Sequence, residues 1–91
     1  MEMTDFRQLF ELNKKAKAHG AITTEESIKL RRLIEGAEAD IARVDDDNIR
    51  FALAQRYIYA ERWRTIADDL GHYTDDTVRK ECDRAVRRLG C

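Results

Sequence analysis

The chain has 91 residues, 38% of them charged, with no proline, four glycines and a net charge of −1. This length allows one small domain, and the scarcity of helix breakers favours an all-helical fold. Because no apolar run approaches the roughly 20 residues that span a bilayer, and the opening MEMTDFRQLF is not basic and then apolar, we expect neither a membrane segment nor a secretory signal.

Nothing in the sequence has the spacing of a catalytic or metal-binding site. Cys82 and Cys91 fit no disulfide or zinc framework, and His19 and His72 have no partner at ligand spacing. The acidic run 45–47 lacks the alternating ligands, the central glycine and the distal glutamate of a calcium loop. We therefore expect a protein that is not an enzyme, binds no metal or cofactor and lies in the reducing cytoplasm.

The first predicted helix extends from about Thr4 to His19. Thr4 can cap its start, and Gly20 can end it because glycine adopts the left-handed backbone. One face of this helix is mostly apolar, and we expect it to pack inside the protein. It contains Phe6, Leu9, Phe10 and Asn13.

The second predicted helix starts near Thr23 or Thr24 and continues to about Val44. Its start has the capping-box spacing of Thr followed three residues later by Glu. Its apolar residues repeat like a coiled-coil seam, which fits either an antiparallel pairing with the first helix or a homodimer. We favour the pairing within the chain. The seam consists of Leu30, Ile34, Ala37, Ile41 and Val44, and Gly36 beside it can allow close approach.

Acidic residues 45–47 and Asn48 mark a break and a new helix start. The third predicted helix covers about residues 47–60 and is apolar over more than half its circumference, so it should be the most buried helix. Its tyrosines, Tyr57 and Tyr59, should lie at the edge of the core with their hydroxyls in water. Arg50, Gln55 and Arg56 mark its solvent side.

The stretch 62–89 has the pattern of a helix–turn–helix. Gly71 can end the first helix, Thr74 can cap the second, and basic residues line the side of the second helix opposite its apolar face. The apolar positions have helical spacing in both helices: Trp63, Ile66, Ala67 and Leu70, then Val78, Cys82, Ala85, Val86 and Leu89. The sequence thus predicts an all-α fold of about five helices, with an N-terminal helical hairpin in 1–45 and a helix–turn–helix in 46–91, together one compact domain.

The run RYIYAERWRTIADDLG, followed by YTDDTVRKECDRAVRRL, resembles the DNA-binding region four of bacterial primary sigma factors. It is even more similar to small phage and prophage transcriptional regulators that share this region, such as late-gene activators of the RinA and ArpU type. The resemblance covers residues 49–89 and implies a DNA-binding regulator or sigma-like accessory factor. The matching positions are Trp63-x-x-Ile66-Ala67-x-x-Leu70-Gly71, Thr74, Val78-Arg79 and Arg84-Ala85-Val86-x-x-Leu89.

The start of the last helix departs from the sigma pattern, in which Thr is followed by a basic residue, an acid and a second basic residue. Here the order is Thr74, Asp75, Asp76 and Thr77, so two expected cations are missing. Arg79 still matches a contacting arginine, and Lys80 replaces a polar contact residue. His72 makes the preceding turn about one residue longer than in many members.

If a duplex lies over the start of the last helix, four side chains can read bases: Asp76, Thr77, Arg79 and Lys80. Arginine binds guanine with two hydrogen bonds, and an acid accepts from cytosine N4. Arg62 and Arg64 can contact backbone phosphate from the preceding helix, and Arg84 and Arg87 can reach it at the edge. The Thr74 hydroxyl caps the start of the last helix, whose free amides can also hold a phosphate. The alternative is a solvated face of ion pairs. The like-charge pair Lys80–Arg84 favours the DNA function, because an anion would neutralise it.

These residues predict a DNA-binding transcriptional regulator, and the resemblance implies that a phage or prophage encodes it. Its partner would be double-stranded DNA, with RNA polymerase or another host protein as a second partner. The alternative is a protein-binding module that reuses the helix–turn–helix frame to inhibit or recruit a host factor. The near-neutral net charge and the acidic start of the last helix favour that alternative.

Overall fold

The computed structural model describes residues 1–20, 22–71 and 73–89, and for His19 the backbone alone. These residues form α1 (Met3–His19), α2 (Thr24–Ile41), α3 (Asp47–Leu53), a π-helical turn (Ala54–Ile58), α4 (Trp63–Leu70) and α5 (Asp75–Leu89). No strand occurs among them, and the prediction of an all-α fold with five helices is confirmed. His72 and Cys91 lie outside the described residues.

The start of α1 differs from the prediction, while its end agrees. The helix begins at Met3, so Thr4 lies inside the first turn and the proposal of Thr4 as the cap was wrong. Glu2 is the capping residue instead, and its backbone N–H donates to the Asp5 carboxylate at 3.0 Å. Gly20 ends the helix with a left-handed φ of 68°. Only a residue without a Cβ adopts this conformation at no cost.

The predicted capping box of α2 is confirmed. The Thr23 hydroxyl accepts the Glu26 N–H at 3.1 Å, and the Glu26 carboxylate accepts the Thr23 N–H at 3.0 Å. The Lys15 ammonium of α1 donates to the same carboxylate at 2.7 Å. Glu26 therefore both starts α2 and ties it to the end of α1.

α2 packs against α1 and the π-helical turn, as the hairpin interpretation requires. Ala37 and Ile41 are buried at this contact, and Leu30 and Ile34 are partly buried. Gly36 faces a side chain rather than another helix, because a Cβ there would lie 2.9 Å from the sulfur of Met1. A homodimer remains a prediction.

The end of α2 comes earlier than predicted, at Ile41, and Val44 lies beyond the helix. The Val44 N–H bonds to the Ile41 carbonyl at 3.0 Å in a tight turn, so the helical path cannot continue. Asp46 then caps α3, where its carboxylate accepts the N–H groups of Asn48 at 2.9 Å and Ile49 at 3.2 Å. The predicted helix break is confirmed.

The third predicted helix is not one continuous α-helix. α3 ends at Leu53 and the backbone widens into the π-helical turn, in which the Tyr59 N–H bonds to the Ala54 carbonyl at 3.2 Å. A π-helical turn contains one residue more than the α-helical path, and such turns are frequent at functional sites. Beyond it, Ala60 adopts a left-handed φ of 56°, which is unusual for a residue other than glycine.

Tyr57 lies at the centre of the core rather than at its edge. Its ring makes edge-to-face contacts with Phe6, centroids 5.1 Å apart, and Trp63, centroids 6.3 Å apart. Burial raises the pKa of Tyr57 to about 12, and its hydroxyl faces the sulfur of Met3 at 3.9 Å, so the expected contact with water was wrong. All helices contribute to this core, for example through Leu9, Ile41, Leu53, Ile66 and Val86.

Two aromatic side chains predicted for the apolar face of the third helix are exposed instead. Phe51 is 39% exposed and Tyr59 is 58% exposed. Phe51 lies between the buried Ile49 and Leu53 and on a different face of α3. Tyr59 follows the π-helical turn, whose extra residue shifts every later side chain around the helix axis.

Candidate nucleic-acid interface

The helix–turn–helix forms where the sequence predicts it. Gly71 ends α4 with a left-handed φ of 75°, and its N–H bonds to the Ala67 carbonyl at 3.0 Å. The Thr74 hydroxyl accepts the Thr77 N–H at 3.2 Å, which confirms Thr74 as the cap of α5. α4 and α5 pack against each other through buried side chains that include Ile66, Val78 and Cys82.

The solvent face of α5 brings together most of the predicted contact residues. Val78, Cys82 and Val86 point into the core, so the side chains at helical spacing on the opposite side point outward. We call this face the outer stripe of α5. It consists of the exposed residues Asp76, Thr77, Lys80, Arg84, Arg87 and Arg88.

Acids within α5 pair with the cations predicted to read DNA. The Asp76 carboxylate accepts from Arg79 at 2.9 Å and from Lys80 at 3.0 Å, and Arg84 pairs with Glu81 at 3.1 Å. The Lys80 hydrogen bond is the main cause that holds the pKa of Asp76 below its usual range. Lys80 and Arg84 thus each have an acidic partner, as the alternative of a solvated face of ion pairs expected.

Arg79 lies at the side of α5 rather than on the outer stripe. It lines a groove of about 550 Å³ together with Lys80 and Asp83, and α1 forms the other wall through Arg7 and Glu11. The N-terminal hairpin therefore flanks the helix that would read DNA. A duplex that contacts Arg79 has to approach α1 as well.

Two of the arginines predicted to hold phosphate, Arg62 and Arg64, lie at the start of α4. Arg62 is the capping residue of α4 and Arg64 is in its first turn, and both are exposed. Neither has an acidic partner within residues 1–20, 22–71 and 73–89. They are open to an external anion.

Arg62 also lines a second concave surface, of about 640 Å³, between α1 and the start of α4. We call this surface the α1–α4 groove. Its charged residues are four cations and one acid: Lys14, Lys17, Arg56, Arg62 and Glu61. The sequence analysis named only Arg62 of these as a contact residue, because the lysines lie on a distant part of the chain.

Arg56 has a structural role that the sequence analysis missed. Its guanidinium lies between two rings, 3.9 Å from the Phe10 centroid and 4.7 Å from the Trp63 centroid, rather than on the solvent side as predicted. It donates to the Glu61 carbonyl at 3.1 Å, and burial lowers its pKa. Arg56 therefore connects α1 to the start of α4.

No described residues form a cluster of three or more His, Cys, Asp or Glu that could hold a metal ion. Among the same residues, none of the helices is both long enough and apolar enough to cross a membrane. No protein-family model, curated protein or solved structure matches the chain. The function of the chain is therefore inferred from the geometry of α1, α4 and α5.

Proposed function

We propose that the protein is a DNA-binding transcriptional regulator whose helix α5 enters the major groove of a duplex. The observation that carries this proposal is the outer stripe of α5, which follows a tight turn and is exposed along the whole helix. At 15 residues α5 is about 22 Å long, enough to place several side chains in one major groove. The likeness to sigma region four supports the same proposal, with a phage or prophage origin and RNA polymerase as a second partner.

The ion pairs on α5 do not prevent base contact. Exposed pairs of this kind contribute about 0.2–1 kcal/mol each, whereas a good two-bond contact between arginine and guanine contributes about 1–3 kcal/mol. Arg79 and Lys80 can therefore leave Asp76 for a base or phosphate. The freed Asp76 carboxylate can accept from cytosine N4.

The remaining predicted residues have positions suited to the DNA backbone. The first helix of a helix–turn–helix crosses the backbone, and Arg62 and Arg64 lie at its start. Thr74 caps α5, whose first-turn amides can hold a phosphate. Arg84 lies one turn beyond Lys80 on the outer stripe and can contact the backbone at the groove edge.

The proposal is tested by selecting bound sequences from a random duplex library and then titrating the best duplex at several salt concentrations. We expect the logarithm of the association constant to fall linearly with the logarithm of salt. Lys80→Glu combined with Arg84→Glu should lower affinity by at least ~10²-fold. Lys29→Glu with Arg31→Glu, on the exposed side of α2, is the matched control and should change affinity far less.

A protein-binding module is the second candidate, and one observation favours it. Asp76 pairs with both Arg79 and Lys80, and with Asp75 and Glu81 nearby the first half of α5 has no excess of positive charge. A wild-type protein without salt-dependent duplex binding, and with no sequence enriched in the selection, would rule out the DNA proposal and leave this candidate.

A further inference from the structure

The α1–α4 groove concentrates positive charge at a place outside α5. Four cations, Lys14, Lys17, Arg56 and Arg62, surround a single acid, Glu61, in a protein whose net charge is −1. Like charges held this close repel one another, and a bound anion would relieve the repulsion. Such a concentration is unexpected on a near-neutral protein unless it meets an anionic partner.

Two of the four cations are available to a ligand. Lys14 and Arg62 are exposed, and neither pairs with an acid in the part of the chain that the structure describes. The Lys14 ammonium instead lies 6.0 Å from the Phe10 ring centroid. Lys17 pairs with Glu61 at 3.3 Å, and this exposed pair is weak enough to exchange for another anion.

Arg56 supplies a held charge beside these exposed side chains. Its guanidinium is held between Phe10 and Trp63 and donates to the Glu61 carbonyl, so its position is set before any ligand arrives. Thr65 adds a hydroxyl to the same wall. The groove therefore combines one fixed cation, two available cations and a neutral hydrogen-bonding group.

The groove continues into the surface that carries α5. Phe10 and Arg56 line both the α1–α4 groove and the groove that contains Arg79 and Lys80. A chain of phosphates on one strand could therefore pass from Lys80, over Arg56, to Arg62 and Lys14. This path follows the start of α4, where the first helix of a helix–turn–helix meets the DNA backbone.

We infer that the α1–α4 groove holds phosphodiesters of the duplex that α5 reads, and that α1 is thus part of the DNA-binding surface through Lys14. This inference rests on the proposed function. It assigns to the N-terminal hairpin a direct role in binding in addition to its packing role. The ligand is the sugar–phosphate backbone, so the groove contributes affinity without sequence preference.

The test compares three doubly substituted full-length proteins on the duplex that library selection provides. Lys14→Gln with Arg62→Gln removes the two available cations of the groove. Lys80→Gln with Arg84→Gln changes the outer stripe of α5, and Lys29→Gln with Arg31→Gln is the control for lost charge. All six residues are exposed, so thermal unfolding of each variant should match wild type and exclude misfolding.

We expect the groove variant to reduce the slope of log association constant against log salt by about 2, because two phosphate contacts are lost. The sequence preference should stay unchanged. The α5 variant should alter the sequence preference. The control should keep both the wild-type salt slope and the wild-type sequence preference. Glu61→Gln removes the only acid of the groove and should raise affinity for every duplex tested.

Each outcome separates the two proposals. One outcome is that wild type and the control bind DNA, the α5 variant loses its sequence preference, and the groove variant keeps the wild-type salt slope. In that case the inference fails and the proposed function stands. If the groove variant loses slope while the α5 variant binds like wild type, the groove holds DNA but α5 does not read it. If wild type binds no duplex, both proposals fail, and binding of an acidic polypeptide that Lys14→Gln weakens would assign the groove to a protein.

Discussion

The side-chain amide of Asn13 donates two hydrogen bonds, to the carbonyl oxygens of Tyr57 at 2.9 Å and Ile58 at 2.8 Å. Both carbonyls lie at the end of the π-helical turn, where the last carbonyls of a helix have no partner within it. One residue of α1 therefore satisfies the end of a segment far along the chain. This contact joins the N-terminal hairpin to the helix–turn–helix by polar as well as apolar interactions.

Asn13→Ala should lower the free energy of unfolding by about 2 kcal/mol, because two partly buried carbonyls lose their donor. Asn13→Asp should cost more, since a carboxylate would face those carbonyl oxygens. Urea unfolding of both variants measures the change. Gln8→Ala, at an exposed position of α1, is the control and should stay within about 0.5 kcal/mol of wild type. Equal stabilities for Asn13→Ala and Gln8→Ala would contradict the role given to Asn13.

Arg56→Ala should lower the free energy of unfolding by about 1–2 kcal/mol, because the contacts with Phe10 and Trp63 are lost. The stability of Arg56→Lys should lie between those of wild type and Arg56→Ala, since lysine keeps the charge but lacks the planar guanidinium. Chemical unfolding gives the stability, and the emission of Trp63 reports the loss of the guanidinium beside the indole. Arg31→Ala is the matched control on α2. Unchanged emission in Arg56→Ala would show that the stacking does not persist in solution.

Ala60→Gly should raise the free energy of unfolding by about 0.5–1 kcal/mol. Alanine at a φ of 56° is strained, and glycine removes that strain at some cost in backbone entropy. Ala39→Gly tests the opposite case, since Ala39 is an exposed residue in the last turn of α2 and this substitution should lower the free energy of unfolding by about 0.5 kcal/mol. A loss of stability in both variants would mean that Ala60 has an ordinary right-handed backbone.

Glu26 should make the stability of the protein depend on pH in the acidic range. Its hydrogen bond from Lys15 is the main cause that lowers its pKa from 4.5 to about 2. A lowered pKa means that the folded state favours the carboxylate, so its contribution is complete above pH 4.5 and is lost as pH falls towards 2. The midpoint of thermal unfolding of Glu26→Gln should therefore approach that of wild type over this interval.

The neighbouring Glu25→Gln serves as the control for that experiment, because Glu25 is exposed on the same first turn and has no bond to Lys15. The midpoint of thermal unfolding of Glu25→Gln should change with pH in the same way as that of wild type. The role given to Glu26 would be contradicted if the unfolding midpoints of Glu26→Gln and wild type differed by the same amount at every pH from neutral down to 2.

Cys82 should be unreactive while the protein is folded. It is fully buried, and burial raises the pKa of its thiol to about 12, so almost no thiolate forms near neutral pH. In a Cys91→Ser background, a thiol reagent should modify Cys82 at the rate of unfolding. The reaction should speed up by orders of magnitude in urea. Rapid modification in native buffer would show that α5 opens locally.

Local sequence signals predicted most of the fold. The Thr23 and Glu26 spacing, the left-handed glycines Gly20 and Gly71, and the Thr74 cap all act through neighbours a few residues away, so they can be recognised without the structure. The π-helical turn could not be predicted in this way. Its stability depends on Asn13 and on the burial of Tyr57, and both are contacts between distant parts of the chain.

The candidate site was predicted only in part for the same reason. The outer stripe of α5 follows from helical spacing within one segment, and it contains four of the predicted contact residues, Asp76, Thr77, Lys80 and Arg84. The α1–α4 groove needs α1 to lie beside Arg62, which the sequence does not indicate. The pairing of Asp76 with both Arg79 and Lys80 is local, and the spacings of three and four could have indicated it.

The π-helical turn Ala54–Ile58 takes up one residue more than an α-helical path would. Deleting one residue before Tyr57 would restore the α-helical path and turn the end of this helix by about 100° around its axis. The Tyr57 ring would then no longer point at Phe6, and the loop 59–62 would leave the helix in another direction. A change of one residue in length at this point would thus alter how α4 and α5 are oriented relative to α1.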